Sequence, residues 1–316
     1  MSEETKGFPE GKHELPKDVE KNIETSSEVS KPPPMEQRRI KRSNVSSDLA
    51  AAFSYKEAPV QFIRLPSRGL LYDGLLPDGK LNVIPMTARE EKLLAGASGD
   101  LTEVIDTIFQ RCVVMGPDLK PSMFLSSDRF YTLLMLRATS YGQDYTFSVT
   151  CDACGFDFTK TVNIPDDFET IYLEDDVQEP FEVVLPMSGK KVGFRLPRGS
   201  DEVMIAKYSE RMLGGRGKKR TVAKKQGDPA YIYRTALLIE TLDNIDVSDT
   251  QLMKDKIEFV EKLIGGDSMA LQAAIRDNDC GIDTEMLERC PRCNKINEFI
   301  MPFTAEFFRP APGRGE

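Results

Sequence analysis

Tryptophan is absent from this 316-residue chain, and histidine occurs once, as His13. The second scarcity is the more informative. Without another imidazole, Ser-His-Asp and Cys-His catalysis and His-ligated zinc are excluded unless a partner chain supplies the ring. Long apolar runs are missing too: no apolar stretch reaches the roughly 18 residues that a bilayer-spanning helix needs. The first residues, MSEETKGFPEGKHELPKD, lack the apolar centre of a secretory signal, so the chain is expected to be soluble and intracellular. Nor is there a basic excess. Lys and Arg number 42 against 51 Asp and Glu, a formal charge of −9, which argues against nucleic acid or an anionic membrane as the default partner. Six cysteines are too sparse for a disulfide scaffold, which leaves metal as the favoured use of any paired ones.

Residues 1–57 carry few large apolar side chains, a KPPP run and many Glu, Lys and Ser. Such a segment buries too little surface to offset the entropy of ordering, and a disordered arm is expected. Within it, Arg38, Arg39, Lys41 and Arg42 read either as a solvated charge run or as a docking site for an acidic partner surface. Order is expected from residue 58. KLNVIPMTAREEKLLAG reads as strand then helix, with Thr87 and Glu90 as a capping box. DLTEVIDTIFQRCVV and SSDRFYTLLMLRATSYG read as helices, the second capped by Ser126 or Ser127 and stopped at Gly142. Two alternating strands, DYTFSVT and FDFTKTVNIP, then flank a CxxC.

An acidic linker, 168–179, follows, and its LEDDVQE run reads as solvated. After it the order of elements starts again. FEVVLPMSGKKVGFRLP is a strand pair, while RGSDEVMIAKYSERML and PAYIYRTALLIETL read as helices. Ser248 and Gln251 suggest a second capping box, and DSMALQAAIRDN a last helix before another CxxC. Residues 309–316 form a tail.

Residues 128–154 lie over 267–293 without a gap at an offset of 139. Asp128 falls on Asp267, Arg137 on Arg276, Gly142 on Gly281, Asp144 on Asp283, Cys151 on Cys290 and Cys154 on Cys293. Upstream, LLPDGKLNVIPMTAREE and VLPMSGKKVGFRLPRGSDE share a looser turn-strand-Pro-helix pattern. The chain is therefore expected to be an α+β protein of two related halves, 58–167 and 180–308. Each would contain short strands, a helical cluster and a knuckle. Cys151, Cys154, Cys290 and Cys293 match a closed four-cysteine zinc ribbon, with thiolates soft enough to favour zinc. The long spacer leaves two arrangements, one zinc within a chain or knuckles paired between chains. Two rivals stand beside structural zinc: a thiol oxidoreductase, whose chemistry usually places a cysteine at a helix N-terminus, and metal-free vestigial thiols. Cys112 and Cys280 have no CxxC mate and read as buried cysteines. Arg137 and Arg276 are expected to pair with Asp144 and Asp283 and so orient the knuckles.

No catalytic constellation emerges. GGRGKKRT lacks the GxxxxGK[ST] spacing of a phosphate-binding loop. It reads as a flexible loop, or as a contact made by Arg216, Lys218, Lys219, Arg220, Lys224 and Lys225. A zinc-ribbon adaptor for nucleic acid or a polymerase is thus the alternative function.

Leu65-Pro66-Ser67-Arg68-Gly69, Pro85-Met86-Thr87 and Ser140-Tyr141-Gly142 before the first knuckle resemble the base-plate hub protein family of T-even-like tailed bacteriophages. The resemblance covers residues 60–167 best. It implies a non-enzymatic structural or assembly component of a contractile tail, made in the host cytoplasm and working through contacts with other tail or base-plate proteins. The arm and the basic loop match no motif of that family.

Overall fold

The computed structural model describes residues 59–96, 102–212, 228, 230–303 and 307–308, all within one compact unit, Glu57–Glu316. The expected arm, the tail and the basic loop, with Arg38, Arg39, Lys41, Arg42, Arg216, Lys218, Lys219, Arg220, Lys224 and Lys225, lie outside the described residues. The class is mixed α and β, as the sequence indicates, with seven α-helices and five small sheets among the described residues.

The first sheet is a meander of β1 (Gln61–Arg64), β2 (Lys80–Val83) and β3 (Val113–Val114). Helices α1 (Ala88–Gly96) and α2 (Thr102–Cys112) fill the connection between β2 and β3. The second sheet has β7 (Phe181–Val184), β8 (Lys191–Phe194), β9 (Ile239–Leu242) and β10 (Ile245–Asp246) in sequential antiparallel order. Here α4 (Gly199–Met212) and α5 (Tyr231–Leu238) fill the connection between β8 and β9. Each meander is followed by a helix leading towards a cysteine hairpin. After the first come α3 (Ser126–Tyr141), β4 (Asp144–Thr150) and β5 (Asp157–Asn163); after the second come α6 (Met253–Glu261), α7 (Gly265–Asp277), β12 (Glu285–Arg289) and β13 (Ile296–Ile300). A short antiparallel pair, β6 (Thr170–Ile171) with β11 (Gly281–Ile282), stitches the middle of the chain to its later part.

Helix α3 is the centre of the core. Every residue from Asp128 to Ala138 is buried except Phe130, so it is a helix enclosed on all sides rather than a surface helix with one apolar stripe. Its buried Asp128, Arg129 and Thr132 are each partnered. Arg129 donates to the Pro121 carbonyl and Asp106 at 2.8 Å and to Glu202 at 3.1 Å. Thr132 Oγ1 donates to the Asp128 carbonyl at 2.7 Å. Asp128 receives the Ser67 amide at 3.1 Å and the Tyr72 hydroxyl at 2.7 Å.

Several local expectations meet a different outcome. Thr87 and Glu90 do cap α1, through the Thr87 amide to Glu90 Oε2 at 2.9 Å and the Arg89 amide to Thr87 Oγ1 at 3.3 Å. Gly142 does end α3, at φ 92°. At the start of α3, however, Leu125 is the N-cap; no side chain caps it, and the Ser126 amide instead donates to the Pro197 carbonyl at 2.8 Å. The second capping box fails too, because Asp249 takes the Gln251 amide at 2.8 Å. Helix α5 stops at Leu238, and IETL becomes β9 because β8 offers it a partner in register. Arg137 and Asp144 form no ion pair, nor do Arg276 and Asp283; Arg137 donates to the Gly142 carbonyl, while the Arg276 side chain is 76% exposed beside Asp277. The acidic run is only partly solvated: Leu173 is buried, and Glu179 receives the Leu196 amide at 2.7 Å and pairs with Arg198.

Candidate metal centre

Both cysteine pairs sit in the turns of two-stranded hairpins, and the turns have the same backbone geometry. In the first, the Cys151 amide donates to the Phe156 carbonyl at 3.0 Å and the Gly155 amide to the Cys151 carbonyl at 2.9 Å. In the second, the Cys290 amide donates to the Lys295 carbonyl and the Asn294 amide to the Cys290 carbonyl, both at 2.9 Å. Each turn needs a left-handed residue after its second cysteine. Gly155 supplies it at φ 64° and Asn294 at φ 59°, and these are the two residue types that occupy that region most readily.

The hairpins face one another across a packed layer. Phe147 of β4 meets Phe299 of β13 with ring centroids 5.9 Å apart. Lys160 of β5 pairs with Glu288 of β12, the Asp152 amide donates to Asn297 Oδ1 at 3.2 Å, and Arg292 lies over the Phe156 ring at 5.9 Å. Behind them, Tyr145 packs on Phe307, and Phe307 on Phe303 and Phe308. Arg137 lies over the rings of Tyr145 and Phe307 at 5.1 and 5.7 Å. Helix α3 thereby braces the first hairpin through a stacked guanidinium.

The packing brings the four sulfurs of Cys151, Cys154, Cys290 and Cys293 within 4.8 Å of one another. Cys151 Sγ is 3.6 Å from Cys293 Sγ, and Cys154 Sγ is 3.7 Å from Cys290 Sγ. These separations are far too long for a disulfide, about 2.05 Å. They match the edge of a tetrahedron with metal–sulfur bonds of about 2.3 Å, which is about 3.8 Å. Burial raises the Cys151 thiol, but amides of Cys154 and Ala153 and the Cys293 and Cys154 thiols outweigh it and bring the group down to about 6. The Phe156 amide lowers Cys154, yet burial and the surrounding thiols push it up to about 12. A thiolate at Cys151 is thus readily formed, and a cation is what would release the proton held by Cys154. The four cysteines lie close together in one chain and can hold a metal ion; their soft, all-sulfur donor set leaves no open position once a tetrahedral ion is bound.

Cys112 and Cys280 are buried away from the cluster, as expected of cysteines without a CxxC mate. Cys280 Sγ instead lies 3.4 Å from Ser127 Oγ, and burial first, then the nearby Asp128, pushes its thiol far up. Reasoning on the sequence missed Asn297, whose side chain reaches from the second hairpin to the first knuckle. It also missed Phe307 and Phe308, although two adjacent phenylalanines close to a polar tail were a readable sign of burial.

Comparison with known proteins gives one result. No curated protein and no solved structure matches the chain, but the family model for T4 bacteriophage base plate proteins matches residues 70–309. That span takes in the first meander from β2 onward, the whole of the second, both cysteine hairpins and the core helix α3. The chain therefore belongs to the T4 bacteriophage base plate protein family.

Proposed function

We propose that the chain is a non-enzymatic structural or assembly component of the hub region of a contractile-tail base plate. It acts by protein–protein contacts with other tail proteins, assembles in the host cytoplasm and takes its place in the virion tail. Family membership across residues 70–309 is the observation that carries this reading.

The proposal includes an internally duplicated fold closed by zinc. Its halves are 58–167 and 180–308, joined through 168–179. The order of elements supports this, since strand, strand, two helices, strand, helix and hairpin occur twice, with β10, α6 and β11 added in the second round. A shared polar device supports it further. Each meander's first strand runs into Leu-Pro, at 65–66 and 185–186. The backbone just after it is held by the repeated aspartate on the third residue of a helix. Ser67 donates to Asp128 at 3.1 Å, and Met187 and Ser188 donate to Asp267 at 2.7 and 3.0 Å. Zinc would then be bound by Cys151, Cys154, Cys290 and Cys293 as a structural ion that locks the two hairpins together.

The experiment is native mass spectrometry of the tagged full-length chain drawn from phage-producing cells. One zinc per chain with tail proteins attached is expected. A metal-free chain, or one bound to a polymerase or nucleic acid, would overturn the reading.

A further inference from the structure

Strand β12 presents an open edge. Its only strand partner among the described residues is β13. At the ends of this pair the Met301 amide donates to the Thr284 carbonyl at 3.0 Å and the Cys290 amide to the Lys295 carbonyl at 2.9 Å. Antiparallel ladders alternate, so the backbone groups of Met286 and Glu288 also turn towards β13, and those of Glu285, Leu287 and Arg289 turn outward. The Glu285 amide is held by Asp283 Oδ1 at 2.9 Å, and the Arg289 amide lies beside the Glu288 carboxylate. Leu287, at the middle of the edge, has neither arrangement.

The side chains of these same residues form an exposed face with those of β13. Leu287 is 70% exposed, Ile300 65% and Ile296 48%. The register sets Leu287 opposite Glu298, with Ile296 and Ile300 on its diagonals, close enough for the three aliphatic groups to share one patch. The outer face of the other hairpin is quite different: Thr146, Ser148, Thr159 and Thr161 cover it with hydroxyls. An open edge carrying an exposed aliphatic centre is a template for another strand. A groove of about 640 Å³, lined in part by Thr159, Lys160, Arg289 and Pro291, lies between β5 and the Arg289 end of this edge.

The charges say which strand fits. Reversed about Leu287, the edge Glu285-x-Leu287-x-Arg289 places acid against base and leucine against leucine. We propose that β12 pairs antiparallel with β12 of a second copy of this chain, about a twofold axis through Leu287. Leu287 exchanges both backbone hydrogen bonds with the partner's Leu287, and Glu285 stands opposite the partner's Arg289. The two hairpins become one four-stranded sheet with its aliphatic patches contiguous. Such an interface is self-complementary and closes on itself as a dimer. It rests neither on the duplication nor on the identity of the metal.

The test is sedimentation equilibrium of the full-length protein, with zinc content and circular dichroism recorded on each sample to show that the hairpins are intact. The wild type is expected to form a concentration-dependent dimer. Arg289→Glu turns both charge pairs repulsive and is expected to weaken the dimer by about tenfold or more. Glu285→Arg does the same, and the double charge swap restores association. Leu287→Cys gives an intermolecular disulfide at position 287 on mild oxidation, because Cα atoms of a hydrogen-bonded antiparallel pair lie about 5.5 Å apart. A folded wild type that stays monomeric at every concentration overturns the proposal. So does a dimer that is indifferent to the charge changes and forms no bond at 287.

Discussion

Asp128 and Asp267 occupy corresponding places at the starts of α3 and α7, yet their protonation is pulled in opposite directions. Burial dominates at Asp128 and raises its carboxyl, against the Ser67 and Tyr72 hydrogen bonds that lower it. At Asp267 burial also raises the group, but the amides of Met187 and Ser188 prevail and hold it below its ordinary value. The stability that Asp267 contributes is present above the unfolded carboxylate range, about 3.9, and is lost as pH falls through the lower folded value. Asp128 behaves inversely: its favourable contribution belongs to acid and is lost as pH rises through the raised folded value. Urea unfolding of Asp267→Asn between about pH 3 and pH 8 should therefore show a deficit against wild type that shrinks in acid. For Asp128→Asn the comparison should move in the mutant's favour as pH rises. Asp128→Ala is a harsher change, since it strands the Ser67 amide and removes the acceptor of the Tyr72 O–H, whose oxygen keeps only the Leu125 amide, at about 1–3 kcal/mol for each donor left unpaired.

At the scale of elements, the two cysteine hairpins depend on one cluster. Among the described residues neither extends into a larger sheet, and an isolated two-stranded hairpin is marginal in water. Chelation, or Cys151→Ser alone, should therefore raise amide hydrogen exchange in both 144–163 and 285–300, although the mutation touches only the first. Exchange that rises in the mutated hairpin alone would contradict the coupling. The turn before β2 makes a separate demand. Gly69 sits at φ 79°, where an added methyl would overlap the Leu76 carbonyl, and a methyl on Gly79 would come within 2.6 Å of Arg68. Gly69→Ala should unfold the first meander, with loss of soluble protein as the readout.

What could be read in advance at this scale follows from how local each signal is. The capping box of α1 and the glycine that ends α3 are short-range chemistry and were visible. The cysteine pairing was visible because metal ligation fixes residue type and spacing even across a long loop. Ile239–Leu242 was not, because an apolar run after a helix looks the same whether it continues the helix or finds a strand. The turn at Asp243 and Asn244, both at positive φ, was the available clue to β9 and β10. The repeated Asp128 and Asp267 stood out in sequence, but their role lies in loops tens of residues away. Arg137 finds aromatic rings rather than Asp144 partly for the same reason: Phe307, one of its two rings, comes from the far end of the chain, whereas the other, Tyr145, is the neighbour of Asp144.

For the whole molecule, Arg129 is the cross-brace. It is buried on α3 and ties Asp106 of α2 to Glu202 of α4, thereby joining the helices of the two meanders. Burial already pushes Glu202 up in spite of the adjacent Arg129. Arg129→Met should cost about 2–4 kcal/mol, somewhat under the roughly 3–5 of a fully buried pair because both acids keep some water. The penalty should be smallest in acid, where Glu202 is neutral, and grow as pH rises through the elevated Glu202 value. A flat profile in urea unfolding would show that Arg129 acts by packing alone.

The separation of the two knuckles also gives synthesis a clock. The second pair of thiols lies 139 residues behind the first, which at about 5–20 residues per second means a delay of about 7–28 s on the ribosome. Throughout that interval only half of the four-cysteine cluster exists. A chain released early in the second half would keep its first meander and its first two thiols but could never complete the cluster. A metal held by all four cysteines would therefore mark a chain as finished, and only finished chains would offer a base plate two locked hairpins.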